Sequence, residues 1–340
     1  MHLSGGKPKG MRALLPGVGA VAVLGALAWV LGPYVPLAGA PLVALAAGAL
    51  LRNTLRLPVS WGPGVEFTVK RLLRVAIVLF GTTLSLAEVL ATGGGALVLI
   101  AVTVVAALVL TYLFGTWLRA PSRLVGLIGV GTAICGATAI ITVGPILQSS
   151  AEEIAFAVTT IFLFNALAVA VYPLLGHLLA LPDRLFGLWA GTAIHDTSSV
   201  LAAAYAYSDP AGQVATVVKL TRTLMLVPLA LAVAFAVSYR RMGEKNTQAS
   251  RVRLTSIFPW FVLWFAGAAL LHSLGILSPA LVRGLGMAGK FLVVMVMTAV
   301  GLGADAASMR RLGARPLLIG LFAAVLIAAL SLTLARWLES

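Results

Sequence analysis

The chain has 340 residues, of which 61% are hydrophobic and only 10% are charged, and its mean hydropathy is +1.06. Soluble domains carry charge on about 25% of their residues, so this composition excludes a soluble fold. The net charge of +14 does not indicate a nucleic-acid partner, because the basic residues stand in short loops between apolar segments while the aromatic residues lie inside those segments.

Apolar stretches of about 20 residues recur along the chain, which is typical of transmembrane helices. The sequence therefore predicts an all-α, polytopic membrane protein with a single transmembrane domain over residues 1–340. The first apolar stretch follows the basic segment 1–12 and is long for a signal peptide, so we expect it to be retained. We predict about eleven spans, at residues 13–31, 36–51, 71–90, 95–118, 123–147, 154–176, 185–206, 213–238, 257–275, 286–306 and 315–336.

The most basic loop, residues 239–253, is expected on the cytoplasmic side, because Lys and Arg are enriched in cytoplasmic loops. Alternation outward from this loop places the N-terminus in the cytoplasm and the C-terminus outside. It also places Arg119 and Arg123 inside, and the acidic pair Glu152 and Glu153 outside.

The fifth predicted span contains GVGTAICGATAI at residues 129–140. Glycine weakens a helix, and threonine can bond the backbone carbonyls that a break sets free. One interpretation is a discontinuous helix whose half-helix N-terminus faces an anion. The other is close helix packing through small residues. This segment alone does not separate the two interpretations.

The seventh predicted span repeats Gly-Thr-Ala-Ile in WAGTAIHDTSSV, residues 189–200, and there His195 and Asp196 follow. Ionisable groups in a membrane are costly unless they pair or face water, and here five polar residues in a row interrupt an apolar helix. We expect a substrate or proton-coupling site, because histidine titrates near neutrality and carboxylates serve in proton relays. A purely structural contact between His195 and Asp196 is the alternative.

The next predicted span carries Lys219 and Arg222, three positions apart and therefore on one helix face. They either neutralise Asp196 or form an anion cradle, in which arginine binds oxyanions bidentately. Lys219 alone could instead extend toward the outer interface. Asn165, in the sixth predicted span, is either a contact between helices or a ligand of the site.

Two internal similarities are visible. Residues 70–90 resemble residues 290–310 when Gly81 is aligned with Gly301. These two segments cross in opposite directions in the predicted topology, as an inverted repeat requires. The two Gly-Thr-Ala-Ile segments come out parallel in that topology, so the same symmetry does not relate them.

Four segments in order, GTAICGATAI, GTAIHDTSSV, VKLTRTLMLVP and IFPWFVLWF, resemble the YeiH-like sulfate exporter family of bacterial inner-membrane proteins. The resemblance runs from about residue 40 to the C-terminus. It implies a secondary transporter distantly similar to the sodium/proton antiporter and bile-acid symporter superfamily, with inverted repeats and broken helices crossing at the membrane centre. By position it implies a site formed by Thr132, Cys135, Gly136, Thr138, His195, Asp196, Thr197, Ser198, Lys219 and Arg222.

The leading hypothesis is a secondary transporter of a small anion, which is a sulfate-like oxyanion, a sulfonate or a carboxylate. Lys219 and Arg222 would bind the anion, and His195 with Asp196 would couple its movement to a proton. The alternative is a sodium/proton antiporter in which Asp196 is the carrier. A membrane-embedded enzyme is disfavoured, because no hydrolase or metalloprotease motif is present.

The expected partners follow from the same hypothesis. They are the anion, a coupling proton or sodium ion, and the lipid bilayer of the bacterial inner membrane. We expect no cofactor, no bound metal and no nucleic acid, and the single Cys135 excludes an internal disulfide. Homodimers are common among such folds, and the sequence singles out no surface for one.

Overall fold

The computed structural model describes residues 11–35, 39–240, 258–307 and 313–339, and every regular element in these ranges is helical. The prediction of an all-α polytopic membrane protein is confirmed. The predicted N-terminal segment 1–12 and basic loop 239–253 lie almost wholly outside the described residues. The α-helices are α1 (Leu15–Leu31), α2 (Gly39–Thr54), α3 (Gly62–Phe67), α4 (Leu73–Gly81), α5 (Leu86–Gly95), α6 (Leu97–Trp117), α7 (Ser122–Ala133), α8 (Ala137–Val143), α9 (Ala151–Leu178), α10 (Asp183–Ala193), α11 (Thr197–Tyr207), α12 (Asp209–Leu224), α13 (Leu226–Arg240), α14 (Phe261–Ser273), α15 (Pro279–Gly303) and α16 (Ala314–Glu339).

Six helical segments in the described ranges are long and apolar enough to cross a membrane. A bent pair, Val59–Gly81 with Leu86–Gly95, bends by 108° and would make a seventh if the pair counts as one span. The predicted count of eleven spans is therefore not confirmed. The six are Leu15–Tyr34, Leu97–Trp117, Ala151–Leu178, Asp209–Ala236, Pro279–Gly303 and Ala314–Glu339.

The segment predicted as the fifth span, residues 123–147, is a re-entrant hairpin and does not cross. We call α7, α8 and the turn between them hairpin 1. A Cβ atom at Gly131 would lie 2.8 Å from Cδ1 of Ile140, and one at Gly126 would lie 3.5 Å from Cδ1 of Leu147. A straight helix would separate residues nine apart by about 13 Å. The chain therefore folds back on itself and leaves from the end at which it entered.

The segment predicted as the seventh span, residues 185–206, is also a re-entrant hairpin, formed by α10 and α11, which we call hairpin 2. The rings of Phe186 and Tyr207 stack with centroids 3.9 Å apart. The hydroxyl of Ser208 donates to Asp183 Oδ1 at 2.6 Å, and the hydroxyl of Tyr207 donates to the carbonyl of Leu181. The start of α10 and the end of α11 therefore lie at the same end of the molecule.

The two hairpins enter from opposite ends, because the long helix α9 connects them. At the start of α9, Glu152 and Glu153 share a pocket with Arg315, whose guanidinium donates to the carbonyl of Arg119. We call this the Arg119 end. At the other end of α9, the ring of His177 stacks on Tyr207. We call that the Asp183 end, and there Arg184 pairs with Glu339 at 2.9 Å.

The position of Glu152 and Glu153 corrects the predicted topology. They were expected outside the cell, on the side opposite Arg119, but they lie at the same end as Arg119 and Arg315. The error has one cause, which is that the predicted topology counts residues 123–147, which form hairpin 1, as a crossing. With two re-entrant hairpins in place of two crossings, the two Gly-Thr-Ala-Ile segments run antiparallel, so their predicted parallel arrangement is wrong.

Helices α1, α2, α4, α14 and α15 pack beside the hairpins as a second layer, whereas α6 and α16 pack directly on the hairpins. Ala44 on α2, Phe80 on α4, Phe265 on α14 and Val296 on α15 belong to one buried apolar cluster of this layer, and Leu201 on α11 joins it to hairpin 2. The helices approach closely at small residues: a Cβ at Gly301 would lie 2.3 Å from the carbonyl oxygen of Leu45, and one at Gly81 would lie 2.5 Å from that of Phe265. The repeat of residues 70–90 in 290–310 stays a prediction.

Candidate functional site

The tip of hairpin 1 is an interruption of three residues between α7 and α8. Helix α7 ends at Ala133, Ile134 and Cys135 are non-helical, and α8 begins after Gly136. Gly136 has φ +61° and ψ −125°, a backbone conformation that residues with a Cβ rarely adopt. The glycine is therefore what allows the chain to reverse here.

The tip of hairpin 2 turns at an aspartate. Helix α10 ends at Ala193, Ile194 is extended, and Asp196 is the N-cap of α11. Asp196 Oδ2 accepts from the backbone amides of Ser198 at 2.9 Å and Ser199 at 3.3 Å, and also from the Ser198 hydroxyl. A carboxylate at a helix N-terminus satisfies free amides and complements the helix dipole. The carboxylate thus fixes where the helix resumes.

Lys219 on α12 contacts both tips and is fully buried. Its Nζ donates to the carbonyl oxygens of Ile134 at 2.9 Å, Ile194 at 2.9 Å and His195 at 2.6 Å. A lysine ammonium has three N–H donors, so all three are engaged. Lys219 therefore joins the two hairpins at their turns.

Arg222 lies one helical turn further along α12 and is also fully buried. Its Nε donates to the carbonyl of Ala133 and one terminal nitrogen to that of Thr132, both at 2.7 Å, while the other terminal nitrogen donates to that of Thr192. The last carbonyls of a helix have no partner within it and carry partial negative charge. Arg222 and Lys219 together cap the C-terminal ends of α7 and α10.

Asn165 on α9 is buried beside both tips. Its Oδ1 accepts from the backbone amides of His195 at 3.1 Å and Asp196 at 3.2 Å. On its other side, a Cβ at Gly136 would lie 3.7 Å from Asn165 Nδ2 and 3.7 Å from Asp196 Cβ. The turns of the two hairpins and the middle of α9 therefore meet at one point.

The remaining predicted residues lie at different depths around this point. Thr132, Cys135, His195 and Ser198 are buried. Within the described residues, Thr132 Oγ1 and His195 Nδ1 are buried and have no hydrogen-bond partner. Asp196 and Thr197 are partly exposed, and Thr138, on the outer side of α8, is exposed. Of the predicted site residues, Thr138 alone faces away from the tips.

An ion pair between Asp196 and the two cations, one of the two alternatives that the sequence leaves open, is not formed. No pair within 4.0 Å among the described side chains joins Asp196 to Lys219 or Arg222. The cations bind backbone carbonyls instead, so neither neutralisation of Asp196 nor an open anion cradle describes their contacts in this conformation. In the described part of the chain, no cluster of three His, Cys, Asp or Glu residues could hold a metal ion.

One signal in the sequence relates the two hairpins. PSRLVGLIGVGTAI at 121–134 and PDRLFGLWAGTAI at 182–194 share Pro-x-Arg-Leu-x-Gly-Leu and then Gly-Thr-Ala-Ile, with one extra residue in the first. Arg119 and Ala180, each two residues before the proline, both have positive φ, at 51° and 47°. Because these equal segments enter from opposite ends, they form an inverted repeat. The prediction compared only the four-residue segment and missed it.

The family described as Conserved hypothetical protein 698 matches residues 16–320, which include both hairpins and α12. UPF0324 membrane proteins from three bacteria are similar over nearly their whole length. The chain is 36% identical over 313 residues to that of Streptococcus mutans, covering 90% of this chain and 92% of the relative. The chain belongs to this family.

The other two relatives extend the similarity across the same site. The chain is 34% identical over 321 residues to the UPF0324 membrane protein of Clostridium tetani, which covers 91% of this chain and 93% of the relative. For that of Streptococcus pyogenes serotype M6 the identity is 36% over 328 residues, 94% of this chain and 96% of the relative. These names confirm a membrane protein, and none of them includes sulfate export.

Proposed function

We propose that this UPF0324 chain is a secondary active transporter of a small anion, coupled to protons or sodium. The anion is a sulfate-like oxyanion, a sulfonate or a carboxylate, and the YeiH-like resemblance implies export. One observation carries the proposal: two inverted re-entrant hairpins from opposite ends meet tip to tip at the buried Lys219 and Arg222.

The tips suit a transport site because of where they lie. Irregular backbone at membrane depth is tolerated only where it is buried in protein or lines a cavity. Discontinuous helices at the interface of inverted repeats bind substrate near the middle of the membrane in many secondary transporters. A site reached by one hairpin from each end can exchange access between the two sides when the hairpins move relative to the second layer.

The balance of charge favours an anion. Lys219 and Arg222 bring two positive charges, against one carboxylate, Asp196, and the C-terminal ends of α7 and α10, each equivalent to about half a negative charge. These terms cancel, which leaves the positive N-terminal ends of α8 and α11. Because the three N–H donors of Lys219 are engaged, Lys219 attracts an anion through its positive charge, without a direct hydrogen bond, and it holds the two tips in place. Direct contacts then come from Thr132, Cys135, Gly136, Asn165, Thr197 and Ser198.

His195 and Asp196 are the proposed coupling groups. They are adjacent at the tip of hairpin 2, and Asp196 is partly exposed while its carboxylate caps α11. The carboxylate of Asp196 lies beside the proposed anion site, so a proton on it and an anion at the tips favour each other electrostatically. This link is the physical basis for coupling.

A sodium/proton antiporter that uses Asp196 is the second candidate. It is favoured by the same carboxylate, which is partly exposed and forms no ion pair with Lys219 or Arg222 within 4.0 Å. Backbone carbonyls of the tips lie nearby, although Lys219 and Arg222 already bind several of them.

Orientation and environment complete the proposal. The Arg119 end carries Arg119, Arg123 and Arg315, and basic residues accumulate on the cytoplasmic side. We therefore place the Arg119 end in the cytoplasm, the N-terminus with it, and the protein in the bacterial inner membrane. We propose a transporter and not an enzyme, with a homodimer as the assembly to test.

The test is thermal stabilisation of the purified full-length protein by sulfate, sulfite, sulfonates, carboxylates and sodium, at pH 6 and pH 8. A ligand that binds only the folded state increases the free energy of unfolding, by about 2.7 kcal/mol at a hundredfold excess over Kd. The melting temperature rises as a result. Three results together support the proposal. One anion stabilises the protein, Asp196→Asn changes that stabilisation, and the matched exposed change Thr138→Val leaves it unchanged. Stabilisation by sodium alone would replace it with the antiporter.

A further inference from the structure

Lys219 places a positive charge at a point where three backbone carbonyls of the two tips converge. Its Nζ lies 2.9 Å from the oxygen of Ile134, 2.9 Å from that of Ile194 and 2.6 Å from that of His195. Ile134 and Ile194 are the C-caps of α7 and α10, and His195 follows Ile194, so all three carbonyls belong to non-helical backbone. Carbonyls from two hairpins that enter from opposite ends therefore surround one atom of a third element, α12.

The three carbonyls are the kind of ligand that an alkali cation takes. In secondary transporters, unwound backbone carbonyls and half-helix C-terminal ends coordinate the coupling cation. A lysine ammonium is a compact point charge, whereas the guanidinium of an arginine is a planar fork. Arg222 accordingly binds its carbonyls through three separate nitrogens, Nε, Nη1 and Nη2. Of the two cations, Lys219 alone gathers its carbonyls around a single charged atom, as a metal ion does.

The charge at this point is fully buried, and carbonyl dipoles are its nearest partners. No ion pair within 4.0 Å joins Lys219 to an acidic side chain among the described residues. A buried charge is costly unless close partners neutralise it. Here the negative ends of α7 and α10 do so, and Asp196 contributes from a longer distance. These partners attract positive charge at this point, whether nitrogen or a metal ion carries it.

We propose that the ammonium of Lys219 occupies the position of a sodium ion between the two tips. A free sodium ion would compete with Lys219 for the same three oxygens, so the unchanged protein does not bind sodium there. The chain thus supplies its own cation to hold hairpins 1 and 2 together. In the proposed transporter the coupling ion is then the proton, and this last step rests on the proposed function. The cation site itself does not rest on it.

The experiment measures thermal unfolding of the purified full-length Lys219→Ala protein while sodium chloride replaces choline chloride at constant ionic strength. Removal of the side chain leaves the three carbonyls around an open space. Sodium that binds there should raise the melting temperature of this variant by a few degrees. The unchanged protein should show no such rise. The control Lys70→Ala, which removes an exposed lysine that pairs with Glu66, should show none either.

Methylammonium chloride, tested in the same way, separates a cation site from an ordinary helix cap. A cap requires N–H donors, whereas a cation site requires only a compact positive charge. Sodium and methylammonium should therefore both stabilise Lys219→Ala. Stabilisation by methylammonium alone would show that the carbonyls need N–H donors, and it would overturn the proposal.

Lys219→Gln provides a second variant, in case Lys219→Ala does not fold. Its amide keeps two N–H donors for the carbonyls and lacks the charge, so sodium should stabilise it as well, by a smaller amount. Two further results would overturn the proposal: sodium stabilises the unchanged protein as much as the variants, or it stabilises neither variant. Anion stabilisation of the unchanged protein is measured in the same preparations, and its absence would remove the proposed function while the cation site remains.

Discussion

Hairpin 1 and hairpin 2 share the sequence by which they enter and differ where they turn. Both run from Pro-x-Arg-Leu-x-Gly-Leu into Gly-Thr-Ala-Ile, from opposite ends. After the isoleucine, hairpin 1 has Cys135 and Gly136, and its return helix of seven residues has no side-chain cap. Hairpin 2 has His195 and Asp196, and its return helix of eleven residues is capped by the carboxylate. The two halves therefore have a common scaffold and different tips.

Contacts with α12 explain why the two hairpins share the Gly-Thr-Ala-Ile segment. Lys219 binds the carbonyls of Ile134 and Ile194, which are the same position of the two Gly-Thr-Ala-Ile segments. Arg222 binds the carbonyls of Thr132 and Thr192, again the same position in both. Two cations thus cap two equivalent helix ends in the same way. The repeat explains the scaffold, and the unequal tips are where different chemistry is possible.

The largest expected effect comes from removing the shared cap. Arg222→Met leaves the buried carbonyls of Thr132, Ala133 and Thr192 without their charged donor. Hydrogen bonds to charged groups contribute about 1.5–3 kcal/mol each, so the loss of three is about 4.5–9 kcal/mol in both hairpins together. We expect little monodisperse protein after solubilisation, measured by size-exclusion chromatography and thermal unfolding.

The control for this change is Arg336→Met, which removes the same charge from an exposed position near the end of α16. It should leave yield and melting temperature unchanged. A stable Arg222→Met protein with a normal melting temperature would contradict the capping role. It would instead favour the anion cradle that the sequence suggested for Arg222.

The next effect should be confined to hairpin 2. Asn165→Leu removes the acceptor of the amides of His195 and Asp196. An unsatisfied buried donor costs about 1–3 kcal/mol, so the tip should loosen with a fall of several degrees in melting temperature. Hydrogen exchange followed by mass spectrometry should show faster exchange near residues 193–199 and unchanged exchange near 131–137. Equally faster exchange at both tips would mean that Asn165 stabilises the turns of both hairpins and not that of hairpin 2 alone.

A smaller effect is expected at the tip of hairpin 1. Gly136→Ala forces a residue with a Cβ into φ +61° and ψ −125°, and the Cβ would lie 3.3 Å from Cγ2 of Ile161. Such backbone strain costs about 1–3 kcal/mol. Gly94→Ala, a helical position on α5 with open space around it, is the matched control and should leave stability unchanged or raise it by up to about 1 kcal/mol. A neutral Gly136→Ala would show that the reversal does not depend on this conformation.

The sequence predicted the members of this site better than the path of the chain through it. His195, Asp196, Lys219 and Arg222 are visible one by one, because ionisable residues are rare in apolar spans. The hairpins are not visible in this way. Residues 123–147 are as long and apolar as a true crossing, and only contacts such as Gly131 with Ile140 show that they fold back.

The role of Lys219 and Arg222 as helix caps could not be predicted from the sequence for a related reason. A lysine or arginine within a span can pair with a carboxylate, bind a ligand or cap a helix, and the choice depends on where other helices end in space. Lys219 and Arg222 meet carbonyls that are 24 to 90 residues away along the chain. Spacing along the sequence contains no information about such contacts, whereas the longer repeat of residues 121–134 in 182–194 is visible in the sequence and marks the two segments as equivalent.

The smallest expected change in stability tests the difference between the tips most directly. Asp196→Asn keeps an oxygen that can cap α11, and Asn and Asp are equally good N-caps, so stability should change by less than about 0.5 kcal/mol. Asp196→Ala removes the cap and should cost about 1 kcal/mol. If Asp196 is the coupling group, Asp196→Asn should abolish the dependence of ligand stabilisation on the coupling ion while the protein remains folded. A pH dependence that survives in Asp196→Asn and disappears in His195→Gln would assign the coupling to the imidazole, and the asymmetry of the tips would then lie in the pair Cys135 and His195 instead.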